Sequence, residues 1–264
     1  MKQYNYLHAL YFSFYSKSFY QIVARNWKGL CFSYLLFILS LFWIPEISRI
    51  QSELSGFLSD EAPKYVKQVP VITISQGNVS LKEQVPYFIN VPEKNAPFAI
   101  IDPSGQITSL DKTSALVLLT HSQLIIKNSS SESRAFDLKG IDHLTIDQKM
   151  LYDWIETFNT LFAVILFPFI LLYSFLFHII QVLLSAGIGT ILAKRFQADI
   201  PYKALIRLSA VSFTPAIILQ TFHALLNIPF PYRMPISFLI SLGYLYYGVG
   251  SNSEPAVSIP NKTL

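Results

Sequence analysis

Thr157–Ala193 reads TFNTLFAVILFPFILLYSFLFHIIQVLLSAGIGTILA, 37 residues without a charged side chain. How often this run crosses a bilayer decides the fold. As one α-helix it would be about 55 Å long, against a hydrocarbon core of about 30 Å. A hairpin of two passes is the alternative, yet its middle, Tyr173–His178 (YSFLFH), offers no Gly, Pro or Asn on which to turn. A hairpin would also strand Lys194 and Arg195 on the outer side, against the bias that keeps Lys and Arg cytoplasmic. One pass over 157–195 is therefore expected, long or kinked at Pro168, with its cytoplasmic end near Lys194.

The remaining composition agrees with a membrane chain. Of 264 residues 52% are hydrophobic and only 14% charged, with a mean hydropathy of +0.41; soluble domains carry about 25% charged residues. The formal net charge of +4 does not mark a nucleic-acid surface, because the bases flank apolar runs. Lys2, Lys17, Arg25 and Lys28 precede the first apolar run, and no acid precedes Glu46. This places the N-terminus in the cytoplasm. Residues 1–28, basic and aromatic, suit an amphipathic helix at an anionic leaflet or a helix packed on the spans. Span one is 29–45, ended by Pro45; without a small-x-small site after its core it reads as an uncleaved anchor.

Between the first two spans lies 46–156, expected to be an inserted α+β extracytoplasmic domain with a small, mostly antiparallel sheet. Glu46–Asp153 holds 13 acids and 10 bases. Ile47, Ile50, Leu54, Phe57 and Leu58 recur at helical spacing up to Tyr65. Short β-type runs follow. Val71–Ile74 and Val79–Leu81 flank a Gly77–Asn78 turn, and Phe98–Ile101 meets the turn Asp102–Pro103–Ser104–Gly105. Ala115–Thr120 and Gln123–Lys127 make a hairpin across His121–Ser122; Tyr87–Ile89 and Arg134–Leu138 complete the set, and Ile141–Thr157 reads as a helix returning to the bilayer. Cys31 is the only cysteine, so no intramolecular disulfide holds this domain. Beyond 195, spans are expected at 203–226 and 235–250, with a disordered cytoplasmic tail at 251–264. The fold class is thus membrane α-helical, about four transmembrane helices with both termini inside. Of the ten bases beyond the outer domain, only Arg233 would face outward.

Polar groups within spans are functional candidates because their desolvation is costly. His178, Gln181, Gln220 and His223 are the candidate intramembrane polar site, each pair sharing a helix face; interhelical hydrogen bonding is the competing reading. Arg207, Ser212, Thr214 and Pro215 form a candidate kink, since Pro215 frees a carbonyl that hydroxyls can re-satisfy. Outside the spans there is no G-x-S-x-G, no H-E-x-x-H, no phosphate-binding glycine loop and no Cys cluster. No catalytic residue, cofactor or metal is assigned. Asp142, His143 and Asp147 match no standard metal spacing and read as a solvated helix face. Asn78–Val–Ser and Asn128–Ser–Ser match the N-glycosylation pattern, a frequent chance match.

Together, SFYSKSFYQIVARNWKGLCFSYLLF, VPVITISQGNVSLKEQVPYFI, AIIDPSG, LVLLTHSQLII and SFTP resemble, in that order, the bacterial domain-of-unknown-function family 1189. Some members are labelled maltodextrin-utilisation membrane proteins. The resemblance covers roughly Tyr11–Gly248. It implies a bacterial plasma-membrane protein but supplies no reaction and no site residues. The expected function is non-enzymatic: a binding, assembly or transport-accessory protein whose outer domain meets a membrane-protein partner or an envelope ligand, with the bilayer around its helices. A small transporter or transporter subunit with a polar site in the third span is the alternative.

Overall fold

The structure, a computed structural model, describes residues 4–94, 96–111, 113–129, 132–226 and 232–253. Helices α1 (Tyr6–Phe12), α2 (Lys17–Asn26), α3 (Phe32–Asp60) and α4 (Ala62–Val66) come first. The strands are β1 (Ile72–Ser75), β2 (Asn78–Leu81), β3 (Tyr87–Asn90), β4 (Pro97–Asp102), β5 (Val117–Thr120), β6 (Gln123–Lys127), β7 (Ser133–Asp137) and β8 (His143–Ile146). Helices α5 (Gln148–Arg195), α6 (Tyr202–Ser212), α7 (Thr214–Leu225) and α8 (Arg233–Gly250) close the order. Helix predominates. Two compact units result: Gln51–Phe162, and the described residues of Met1–Ile50 with Ala163–Leu264.

The sheet unit contains two small sheets, ordered β2-β1-β8 and β3-β4-β5-β6-β7. All pairings are antiparallel except β4 with β5, which is parallel. The β1–β2 hairpin turns on Gln76 and Gly77, both at positive φ (50° and 76°), as a two-residue type I′ loop demands. The loop therefore lies one residue before the expected Gly77–Asn78, and Asn78 already belongs to β2. Only glycine fits at 77, because a Cβ there would lie 2.8 Å from the Lys139 Cα. The two sheets are joined where the Val79 N–H donates to the His121 carbonyl at 2.7 Å.

Central strands β4 and β5 are buried on both faces. Ala99, Ile101 and Leu119 pack with Ile72, Ile74 and Val79, whereas Ile100 and Leu118 pack with Leu110 and Ala115. This explains why FAII and LVLL are continuous apolar runs: a strand covered on both sides has no polar face to alternate with.

Three expectations need correction. Residues 141–147 are not helical: His143–Ile146 pairs with β1, Ile72 opposite Ile146. Helix α5 starts only after Asp147, whose carboxylate accepts from the Met150 N–H at 2.8 Å and so caps the helix. Pro45 does not end the first long helix, since α3 continues through it to Asp60. Proline costs one backbone hydrogen bond and a ring clash, and the helix tolerates it here. The N-terminal 1–28 is not one helix but two, because Ser16 caps α2 by accepting from the Phe19 N–H at 3.2 Å. The third apolar segment is helical from Tyr202 to Leu225, as expected, with one irregular residue, Phe213, between α6 and α7.

Helix α5 is uninterrupted over 48 residues, Pro168 included, about 72 Å long. Three helical stretches are long and apolar enough to cross a membrane: Phe32–Val66, Gln148–Arg195 and Tyr202–Leu225. Met234–Gly250 is apolar but shorter. The core of the helical unit gathers Phe19, Tyr20 and Val23 of α2, Tyr34, Leu35 and Ile38 of α3, Val182 and Ala186 of α5, Leu205 and Leu208 of α6, and Leu245 and Val249 of α8. Small residues let these helices approach. A Cβ on Gly248 would meet the Tyr20 ring at 2.6 Å, so the tyrosine lies directly on the α8 backbone. The expected tail at 251–264 opens as a turn over 251–253; the rest lies outside the described residues.

Candidate functional site

The polar groups of the helical unit are engaged mainly with one another and with backbone. On α7 the Gln220 side-chain amide donates to the Ser237 hydroxyl of α8. The Thr214 hydroxyl at the start of α7 is bonded to the Tyr34 hydroxyl of α3, and both residues are fully buried. These two bonds tie α7 to helices on either side of it in sequence. Sequence reasoning named Gln220 and Thr214 but neither partner. The signal for Ser237 was its spacing from Ser241, four residues on along an otherwise apolar helix; Tyr34 carried none.

His178 on α5 hydrogen-bonds through Nδ1 to the Ser174 carbonyl at 2.8 Å. A carbonyl only accepts, so Nδ1 is the donor in this bond. Its ring meets Phe213 edge-on, centroids 6.0 Å apart. Gln181, one turn further along α5, is half-buried. His223 lies ten residues beyond Phe213, about 15 Å along α7. The His178–Phe213 contact therefore keeps His178 and His223 at separate levels, and the four candidate residues do not converge on one pocket.

At the candidate kink the helix is irregular at one residue, Phe213, whose backbone stays in the right-handed helical region (φ −74°, ψ −19°). Pro215 has no N–H to donate to the Val211 carbonyl, so α6 closes at Ser212 and α7 resumes with the Ile217 N–H bonded to the Phe213 carbonyl at 2.9 Å. The Ser212 hydroxyl turns back to the Ser209 carbonyl at 2.8 Å. Arg207 takes no part in this. Its guanidinium donates to the carbonyls of Val23 (3.2 Å), Ala24 (2.5 Å) and Gly29 (3.4 Å), at and just beyond the end of α2. A helix C-terminus carries unpaired carbonyls and partial negative charge, which a cation satisfies. Gln21 does the reverse, donating to the Ser251 carbonyl just past α8 at 2.7 Å. Helix α2 is thereby locked to α6 and α8.

In the sheet unit, Asp102 is a turn residue. Its Oδ1 accepts from the Ser104 N–H and hydroxyl (3.0 and 2.5 Å) and its Oδ2 from the Ile107 N–H at 2.6 Å. Burial by itself would raise its pKa, but these donors outweigh it and hold the carboxyl below the ordinary value. Asp142, His143 and Asp147 are not a helix face but a strand edge and a helix cap. His143 faces the Ser75 hydroxyl at 3.4 Å. No group of three or more His, Cys, Asp or Glu is placed to hold a metal among the described residues. At the sheet's free edge β7 is exposed along its whole length, Phe136 by 51%. Near the start of α5, Asn159 takes the Gln51 amide (2.8 Å) and the Ser55 hydroxyl (2.9 Å) on its side-chain oxygen.

No curated protein and no solved structure matches the chain. The model of the family described as protein of unknown function (DUF1189) matches residues 7–249, nearly all of it. The chain belongs to that family.

Proposed function

We propose that this is a four-span bacterial plasma-membrane protein that acts without catalysis. Its sheet unit stands on the extracytoplasmic side and binds a membrane-protein partner or an envelope ligand, in support of transport or envelope assembly. The spans are α3, α5, α6–α7 and α8, with both termini cytoplasmic. The observation that carries the reading is the β7 edge, which pairs with no further strand among the described residues, with Phe136 of β7 and Ile126 of the adjoining β6 exposed there. An open strand edge offers backbone donors and acceptors to an added strand, and apolar side chains beside it supply affinity. The interhelical bonds of Gln220 and Thr214 support the same reading, because groups spent on packing do not line a transport path.

A photo-crosslinking side chain at Phe136 of the full-length protein in native membranes tests it. One discrete adduct is expected, lost when neighbouring Ile126 is replaced by Lys. Labelling no stronger than from exposed Ser104 would count against the edge as a binding surface. For topology, single cysteines at Ser104 and Gln197 in a Cys31→Ser background should label from opposite sides. Labelling of both from one side would overturn the span order.

A further inference from the structure

At the start of the helical unit an open groove of about 1130 Å³ lies between α1, the α2–α3 connection and the first turns of α3. Its wall is aromatic. The Tyr6 ring stands 5.6 Å from Trp27 and 6.1 Å from Phe37, and its hydroxyl is fixed to the Ser33 hydroxyl at 2.7 Å. Its polar lining is supplied by Asn5, Asn26 and Lys28, all solvent-exposed. Lys28 and neighbouring Arg25 have no acidic partner among the described residues, and the chain carries no acid before Glu46. The groove therefore presents amide and ammonium donors, with no acid in its lining, next to a cluster of tilted rings of which Phe37 belongs to a helix apolar enough to span a bilayer.

We infer that this groove binds an anionic phospholipid of the surrounding bilayer. The phosphodiester would meet Lys28 and the Asn5 and Asn26 amides, and the glycerol and first acyl carbons would lie on Trp27, Tyr6 and Phe37. Three properties favour this occupant. Basic pockets beside spans on the cytoplasmic side suit anionic headgroups. Tyr and Trp rings sit at headgroup depth, where one end of a ligand is polar and the other apolar. An open groove of this size also exceeds what a compact polar metabolite fills. A soluble phosphate would use the donors and leave the aromatic wall bare. The inference rests on the membrane placement proposed above for α3, but not on any role of the sheet unit.

Trp27 supplies the probe. The chain has Trp27, Trp43 and Trp154, so Trp43→Phe with Trp154→Phe leaves the groove residue as sole fluorophore in the full-length protein. The protein is reconstituted in phosphatidylcholine vesicles holding a fixed minor fraction of dibrominated phosphatidylglycerol or of dibrominated phosphatidylcholine. Bromine quenches only at close range. The expected result is quenching roughly five-fold more effective by the anionic lipid, the preference one lysine contributes near such a headgroup. Lys28→Ala should abolish the preference and Lys28→Arg keep it, with the Trp27 emission maximum in unbrominated vesicles unchanged as the check on folding. Equal quenching by the two lipids would overturn the inference. A companion protein with Trp43 as sole tryptophan separates the failures. Trp43 quenched while Trp27 is not sinks the groove alone, whereas neither being quenched sinks the placement of α3 in the bilayer as well.

Discussion

Three donors converge on the Asp102 carboxylate and stabilise its charged form. Its folded pKa is depressed, so it contributes stability that is present above the unfolded carboxylate value of about 3.9 and is lost as pH falls through the folded value. Asp102→Asn should cost the sheet unit roughly 1–2 kcal/mol at neutral pH, because an amide NH₂ would face the Ile107 N–H in place of an acceptor. The same variant should lose this part of the acid sensitivity, so unfolding curves of variant and parent should converge as pH falls below about 4. Parallel loss in both proteins at low pH would contradict the assignment. Gly77 makes a complementary case through backbone. At φ 76°, with the Lys139 Cα 2.8 Å from any Cβ, Gly77→Ala should destabilise the sheet unit by more than the ~1 kcal/mol of the strained conformation alone. Urea titration with an unchanged m-value is the measurement, and a neutral Gly77→Ala would refute it.

Among the elements, α2 follows the packed of the two readings its sequence allowed. Its aromatic and basic residues satisfy an interfacial pattern, yet Phe19, Tyr20, Gln21, Val23 and Ala24 are buried. The decisive partners, Arg207 and Gly248, lie far along the chain, where local periodicity carries no trace of them. Arg207→Met should release the end of α2 and shorten the thermal lifetime in detergent, by an amount equivalent to about 1.5–3 kcal/mol for charge-assisted bonds. Arg207→Lys should recover only part, because donors on a single nitrogen cannot reproduce the planar spread of Nε, Nη1 and Nη2 toward three separate carbonyls. Full recovery by lysine would reduce the role to charge. Strand β8 was missed for a different reason. HLTI alternates exposed and half-buried residues, and Asp147 ahead of Gln148 is a capping signal. Both were present, but the long apolar helix beyond pulled the reading past its true start. Pro45 carries a breaker signal, yet α3 runs through it to Asp60, because a proline removes one hydrogen bond of a helix without obliging the helix to stop.

At the scale of the molecule, what could be read from sequence is what composition and turns determine: one uninterrupted α5, the hairpin across His121–Ser122, the Asp102 turn and a cysteine-free sheet region. The polar residues were visible as isolated names, but their pairing was not, since Gln220 with Ser237 and Thr214 with Tyr34 are decided by helix rotation and packing. The division into two compact units has a consequence for stability. Residues within Gln51–Phe162 build their own core, centred on Ile72, Ile101 and Leu119, and the helical unit builds another around Tyr20, Leu205 and Leu245. Local opening follows cooperative units that share a core. Amide exchange in detergent should therefore respond to Asp102→Asn by faster exchange through β1, β4 and β5, while amides of α6 and of the 174–193 stretch of α5 keep parental rates. Arg207→Met should produce the reverse pattern. If either substitution accelerated exchange in both sets equally, the chain would be opening as one cooperative body, and a partner held at the β7 edge would then act on the helices through stability alone.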